Sequence, residues 1–290
     1  MRARISRASR AATAVLLLAL FGGAGSLSAT ESGPARASPL PAPSGEMLRV
    51  CAGPDNLPFS NERQEGFDNE LVDVVARDLG RPVAYVWRRR EQGRRGALAS
   101  GACDLMVGAR AGLAGVLRTR PYYRSMYVFA YRTRSRFHLR SFDDPMLRRA
   151  RIGIQAVGDD AWAAAPAQML ARHGLSEYVI SYPARRIHAA NPNSRIIAAV
   201  ARGDIDVAIV PGPVAGYFAR RQIVPLTIVP VVSQGEVAPG ELVIDVSMGV
   251  RPGDMALRDQ LDDALERHAA DIDRILSGYA VPSAADRRAP

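Results

Sequence analysis

The sequence contains no lysine, and it has few of the residues that usually carry catalysis or bind metal ions. All 38 basic residues are arginines, and the chain has only four histidines and two cysteines. No HxxxH, HExxH or CxxC spacing is present, and there is no Walker loop, EF-hand loop or GxSxG motif. We therefore expect no catalytic residues, no metal site and no cofactor bound by this chain.

The sequence also lacks an apolar run as long as the about 20 residues that a bilayer span needs. The N-terminus has four arginines, then an apolar run over residues 11–21, then small residues. This order is typical of a secretory signal peptide, which we assign to residues 1–37 with an AxA cleavage site at 35–37. Cleavage after Ser26 or Ala29 is an alternative, as is a buried helix or an uncleaved anchor. Residues 38–46 predict a linker, so we expect a periplasmic protein without stable membrane insertion.

The positive charge is modest once the predicted signal peptide is removed. The formal net charge is +9, but the first 37 residues hold five arginines and one glutamate, which leaves +5. We attribute the use of arginine alone to coding bias. An excess of this size favours contact with acidic partners, and export argues against nucleic acid as the partner.

Cys51 and Cys103 are the two cysteines of the chain. In an oxidising compartment such a pair predicts a disulfide, with two separate buried thiols as the alternative. Both cysteines are predicted on strands, and a bridge needs Cα atoms within about 7 Å.

Apolar strands alternate with amphipathic helices along the rest of the chain, which predicts parallel sheets covered by helices. Residues 47–130 form the first part of lobe 1, with strands at 48–52, 82–87 and 104–109 and helices at 66–80 and 94–100. Asp68 or Asn69 is the expected cap of the first helix, and the chain is expected to leave this lobe from Ser125 on. Residues 131–240 form lobe 2, with strands at 151–155, 178–182 and 205–210 and a helix that Ser194 is expected to cap and that runs to Gly203. Residues 241–282 return to lobe 1 with a strand at 242–250 and a helix at 255–276, and residues 283–290 form a tail. Two α/β lobes create a cleft, which is the expected site.

Several residues follow strands and are therefore candidates to line this cleft. Asn56, Phe59 and Ser60 come after the first strand, where Phe59 could stack on a ligand, although a turn held by prolines is the alternative. Arg110 lies just past the third strand of lobe 1, at its carboxyl end. It could hold an anionic group, or it could pair with a neighbouring carboxylate.

Two further candidates have equally simple structural interpretations. Tyr123 lies near the exit from lobe 1, where aromatic residues often pack the lobes together instead of binding a ligand. Asp159 lies where a receptor would offer backbone N–H groups to an anion, and capping of a helix is the alternative.

Three segments resemble the periplasmic solute-binding proteins that take up polar amino acids: residues 48–60 (LRVCAGPDNLPFS), residues 66–80 (GFDNELVDVVARDLG) and residues 247–282. This resemblance implies the two-lobed α/β fold of the type II periplasmic binding proteins. Residues 51–67 (CAGPDNLPFSNERQEGF), 121–129 (PYYRSMYVF) and 202–218 (RGDIDVAIVPGPVAGYF) look like a narrower branch. Its members are the binding proteins associated with quinoprotein dehydrogenases, the MxaJ/XoxJ type of methanol oxidation systems.

The resemblance also shows where the chain departs from amino-acid receptors. Those receptors hold the ligand carboxylate with an arginine, near which this chain has Leu113 and Ala114. They bind the ammonium group with an aspartate, and this chain has Pro211 in its place. Burying a zwitterion without these counter-charges would cost several kcal/mol, so we do not expect a free amino acid as the ligand.

Three functions are consistent with these observations. The first is a non-catalytic accessory of a dehydrogenase that depends on pyrroloquinoline quinone, aiding its assembly or activation. The second is a receptor of an ABC importer for a small polar solute, which closes by hinge bending. The third is an enzyme on the same fold, like the cyclohexadienyl dehydratases, which would need an acid or base in the cleft.

Overall fold

The computed structural model describes residues 46–89, 91–155, 164–182, 191–232 and 242–281. Over these residues the strands are β1 Leu48–Ala52, β2 Asp55–Asn56, β3 Ser60–Asn61, β4 Val83–Trp87, β5 Leu105–Arg110, β6 Leu117–Arg118, β7 Tyr123–Arg132, β8 Ile152–Gln155, β9 Val179–Tyr182, β10 Val207–Pro211, β11 Leu226–Pro230 and β12 Val243–Val250. The helices are α1 Phe67–Asp78, α2 Glu91–Ala99, α3 Ala164–Arg172, α4 Pro192–Arg202, α5 Gly212–Ala219, α6 Met255–Arg267 and α7 Ala269–Gly278. The predicted signal peptide, most of the predicted linker, Asp159 and the tail lie outside the described residues.

Lobe 1 is built on the parallel strands β4, β1 and β5, with β12 antiparallel beside β5. Helix α1 covers this sheet because its apolar residues recur at helical spacing and enter the core. Gly80, with a φ of +62°, and Pro82 prevent the helix from continuing into β4. Helices α6 and α7 complete the same core with Leu261, Leu265 and Leu276.

Lobe 2 repeats this architecture with different strands. β10 lies between β8, which is parallel to it, and β7, which is antiparallel, while β9 extends the sheet beyond β8. One face of the sheet packs on the cluster around Phe129, Phe142 and Leu147, and the other face packs on α4 and α5. The sheet is therefore covered on both sides, as parallel sheets normally are.

One long strand, β7, runs through both lobes. Residues 123–126 of β7 pair with β12 in lobe 1, and residues 127–131 of the same strand pair with β10 in lobe 2. The predicted departure of the chain from lobe 1 near Ser125 therefore falls within a continuous strand. The exact lobe boundaries at residues 130 and 240 stay a prediction.

The predicted disulfide is confirmed. Cys51 and Cys103 are joined with a Cα–Cα distance of 5.7 Å. Cys51 lies in β1 as expected, but Cys103 precedes β5 instead of lying on it. The predicted position of Cys103 on a strand was therefore wrong, and its place in the turn after α2 brings the two Cα atoms within bridging distance.

The ends of three helices differ from their predicted positions. Gly66, not Asp68 or Asn69, is the residue before α1, because the Asn69 side chain reaches back to accept the Gly66 N–H at 3.3 Å. Asn191, not Ser194, caps α4 by accepting the Asn193 N–H. The predicted single helix over 255–276 is two helices that meet at His268. Within the described residues, none of the helices combines the length and hydrophobicity that a bilayer span requires.

Candidate functional site

The loop after β1 carries the first group of predicted cleft residues. The short hairpin of β2 and β3 folds this loop back on itself. Ser60 fixes it, because its Oγ donates to the Gly53 carbonyl at 2.8 Å and accepts the Gly53 N–H at 3.1 Å. Ser60 is 1% exposed, so its hydroxyl group orders the loop and does not face solvent. The loop leaves the carboxyl end of β1, where α/β sheets present their ligand sites.

Asn56 of this loop faces lobe 2 across the predicted cleft. The Asn193 Nδ2 group at the start of α4 donates to Asn56 Oδ1 at 3.1 Å and to the Leu57 carbonyl at 2.8 Å. Asn191 Nδ2 also donates to the Leu57 carbonyl, at 3.3 Å. Gln155, at the end of β8, donates to Asn193 Oδ1 and fixes the orientation of that amide. We call Asn56, Leu57, Asn191 and Asn193 the amide bridge.

Apolar contacts reinforce the amide bridge. Leu57, although it belongs to lobe 1, packs against the core cluster of lobe 2 that includes Ile196 and Val214. Phe59 packs against the cores of both lobes. The position at which we predicted ligand stacking is therefore occupied by contacts between the two lobes.

A second contact joins the lobes between α5 and the end of α7. Tyr217 of α5 stacks on Tyr279 with ring centroids 5.6 Å apart and planes 10° apart. The Tyr279 hydroxyl group donates to Glu70 of α1 at 2.5 Å, and Arg221 lies 3.5 Å from the centroid of the Tyr217 ring. Stacking and cation–π contacts of this kind each contribute about 1 kcal/mol. The two lobes are thus held together at two separate places.

Arg110 is the last residue of β5, instead of lying just past the strand as predicted, and it meets Glu91 at the start of α2. Its Nε and Nη2 groups donate to the two carboxylate oxygens, each at 3.1 Å. The side chains are 20% and 6% exposed, respectively. This two-point geometry matches the alternative that we gave for Arg110, a structural ion pair with a neighbouring carboxylate.

Tyr123 and Pro211 both lie in the interior. Tyr123 is 1% exposed, and its ring contacts Phe67 edge-to-face at 5.3 Å in the core of lobe 1. Pro211 is buried at the end of β10, where it pairs with Tyr127 of β7 and precedes α5. Among the predicted residues, the structure brings Asn56, Phe59 and Ser60 together in one loop, and it places Arg110 and Tyr123 in separate contacts.

Asp68 is a buried acid close to the end of β5. It is 3% exposed and accepts a hydrogen bond of 2.8 Å from the Tyr122 hydroxyl group, which in turn accepts the Gly108 N–H at 3.3 Å. Burial raises the pKa of Asp68 from 3.8 to about 7, although the Tyr122 hydrogen bond and the charge of Arg94 oppose that rise. The carboxyl group is therefore partly protonated near neutral pH.

The sequence reasoning missed Asn191 and Asn193. The signal was present as an Asn-Pro-Asn triplet before an apolar helical run, which is a helix start with two amide side chains in its first turn. Over the described ranges, no group of three or more His, Cys, Asp or Glu side chains could hold a metal ion.

The family model of the bacterial extracellular solute-binding proteins, family 3, matches residues 48–281. The chain therefore belongs to this family, and the resemblance read from its motifs is confirmed. Its sequence is 29% identical over 253 residues to Protein MoxJ of Methylorubrum extorquens, covering 83% of this chain and 82% of that protein.

Two solved structures are also similar to the chain. The periplasmic binding protein XoxJ from Methylobacterium extorquens AM1 matches with 32% identity and a TM-score of 0.66, over 82% of this chain and 99% of XoxJ. MxaJ from Methlophaga aminisulfidivorans MPT matches with 25% identity and a TM-score of 0.71, over 82% of this chain and 100% of MxaJ. Both confirm the predicted two-lobed α/β fold.

Proposed function

We propose that this chain is a non-catalytic periplasmic accessory of a methanol or alcohol dehydrogenase that depends on pyrroloquinoline quinone, and that it aids the assembly or activation of that enzyme. In this function the protein binds a folded partner and does not carry a solute to a transporter. The similarity to MoxJ, XoxJ and MxaJ supports the association with methanol oxidation.

The amide bridge is the observation that carries this proposal. A solute receptor closes because its ligand supplies hydrogen bonds to both lobes, and without ligand those contacts are missing. Here Asn193 supplies them directly to Asn56 and Leu57. Here the protein's own side chains join the two lobes. A small ligand at that place would add no hydrogen bonds between the lobes overall, because it would first have to break these bonds.

Two arginines at or just after strands of lobe 1 support the same conclusion. Arg110 is engaged by Glu91, and Arg120 donates to Glu266 and, through its backbone, to Asp262. Neither arginine therefore offers an unpaired guanidinium group to a carboxylate ligand. A zwitterion would lose the charge-assisted hydrogen bonds that normally balance its desolvation.

The buried acid Asp68 is the one feature that favours an enzyme on this fold. Its raised pKa suits a general acid, since catalytic groups work best when they titrate near the ambient pH. However, Asp68 is 3% exposed and bonded to Tyr122. A group that cannot reach a substrate cannot transfer a proton to it, so we assign Asp68 to the core of lobe 1.

Affinity capture from periplasm tests the proposal. Tagged protein without residues 1–37 is mixed with periplasmic extract of methanol-grown cells, and the bound proteins and small molecules are identified by mass spectrometry. We expect the dehydrogenase large subunit in stoichiometric amount. The control is an amino-acid receptor of the same fold, which should not recover it. Recovery of a small solute without the dehydrogenase would instead support the importer receptor.

A further inference from the structure

The positive charge of this protein is concentrated in one short stretch. Residues 132–151 contain seven arginines and two aspartates. The rest of the chain after residue 37 contains 26 arginines and 26 acidic residues, so it is balanced. The stretch therefore carries the whole net charge of the protein that remains after the predicted signal peptide is removed.

This stretch leaves β7 and crosses the surface of lobe 2. Its apolar side chains point inward, and Phe137, Leu139, Phe142 and Leu147 are each at most 4% exposed within the lobe 2 core. The arginines between these anchors are exposed, in the loop after β7 and in the short 3-10 helix Pro145–Arg149 that precedes β8. We call the exposed set the basic ridge; its members are Arg134, Arg136, Arg140, Arg148 and Arg149.

Within the described residues, the arginines of the basic ridge are not paired with acidic side chains. Arg136 donates to the Arg149 carbonyl at 3.1 Å, and Arg148 donates to the carbonyls of His173 and Gly174. These bonds orient the guanidinium groups but cancel no charge. Within the part of the chain that the structure describes, Arg134, Arg140 and Arg149 form no ion pair.

The two aspartates of the stretch interact with groups other than the arginines of the basic ridge. Asp143 pairs with His173 at 3.0 Å, and Asp144 accepts the Met146 N–H at 2.9 Å. By contrast, Arg89 in the loop after β4 pairs with Asp55.

An exposed apolar side chain lies beside the ridge. Val232 is 52% exposed, and its N–H donates to the Arg140 carbonyl at 2.8 Å. Interfaces between proteins combine arginine with apolar contacts, whereas a polyanion such as nucleic acid needs charge alone. The combination therefore fits a folded protein with an acidic face.

We propose that the basic ridge is the surface on which the acidic face of a protein partner docks. This inference rests on the proposed function, in which the partner is the dehydrogenase. Complementary charge at an exposed surface mainly raises the association rate and makes it sensitive to salt. The amide bridge ties lobe 2, which carries the ridge, to lobe 1.

The test compares two triple variants with the same loss of charge. The ridge variant carries Arg134→Gln, Arg136→Gln and Arg140→Gln. The control variant carries Arg63→Gln, Arg202→Gln and Arg274→Gln, whose arginines are exposed but paired with acids in their own neighbourhood. Binding to the purified dehydrogenase of the same organism is followed by stopped-flow or biolayer interferometry at low and high ionic strength.

We expect the ridge variant to lose about tenfold in association rate at low ionic strength, and the control variant to stay within about twofold of the wild type. Equal losses in both triple variants would overturn the ridge as the docking surface while leaving the proposed function intact. No binding of the wild type at any ionic strength would overturn the proposed function as well. Ridge-dependent binding to phosphatidylglycerol vesicles, with unchanged dehydrogenase binding, would assign the ridge to a lipid surface and overturn the proposal. Circular dichroism melting checks that both variants are folded.

Discussion

Replacing Asp68 by asparagine should change how the stability of this protein depends on pH. In the unfolded chain Asp68 titrates near 3.8, whereas in the folded protein burial raises its pKa to about 7. Between these values the folded protein holds a proton that the unfolded chain has lost. Stability is therefore greatest at low pH, as far as this group is concerned, and falls as pH rises through about 7.

The magnitude follows from the size of this pKa shift. Between the two pKa values the stability falls by about 1.4 kcal/mol for each pH unit. From about pH 5 to about pH 8 the Asp68 contribution therefore falls by about 3 kcal/mol, nearly all of it below about pH 7. Asp68→Asn keeps the shape of the side chain and an oxygen that accepts from Tyr122, but it cannot ionise. The variant should therefore lack this part of the pH dependence.

Urea denaturation followed by circular dichroism at several pH values measures this effect. The quantity of interest is the difference between the unfolding free energies of the wild type and Asp68→Asn, which removes contributions from other titrating groups. Glu62→Gln is the control, because Glu62 is exposed on the preceding loop. A difference that stays constant from about pH 5 to about pH 8 would refute the assignment of a strongly raised pKa to Asp68.

Two further predictions concern the lobes and the disulfide. Asn193→Ala removes two hydrogen bonds to lobe 1, worth about 2 kcal/mol, and should raise the open fraction and the radius of gyration in small-angle scattering. Gln222→Ala, which loses a bond within lobe 2, should not change that radius. Replacing Cys51 and Cys103 by alanine opens a loop of 52 residues and should cost about 4 kcal/mol in chemical denaturation. A loss below about 1 kcal/mol would contradict the chain-entropy argument.

Local signals in the sequence were sufficient for most of the fold. The first strand was predicted at 48–52 and forms there, because an apolar run ends at Gly53-Pro54. The break between α6 and α7 could not be predicted in this way. At that point the His268 ring contacts Asp78 of α1 at 2.9 Å, and this partner is 190 residues away in the chain. Helical periodicity is a local pattern and does not predict a contact between such distant residues.

The candidate site was harder to predict than the fold. Strand ends indicated the loop with Asn56, Phe59 and Ser60 as a candidate, since the carboxyl ends of parallel strands are recognisable in the sequence. The partner of Asn56 was not predicted, because Asn193 is 137 residues further along and its amide has no distinctive local pattern. Similarly, nothing near Arg110 identifies Glu91 as its partner until α2 and β5 are placed side by side.

The position of β12 has a consequence for how the protein is made. This strand is synthesised late, yet it lies in the middle of the sheet between β5 and β7 and bonds to both. Until it emerges from the ribosome, both neighbours keep open hydrogen-bonding edges, which are prone to pair with other chains. These two edges therefore stay unpaired until nearly seven-eighths of the chain has been translated, and we expect a truncation that removes β12 to aggregate.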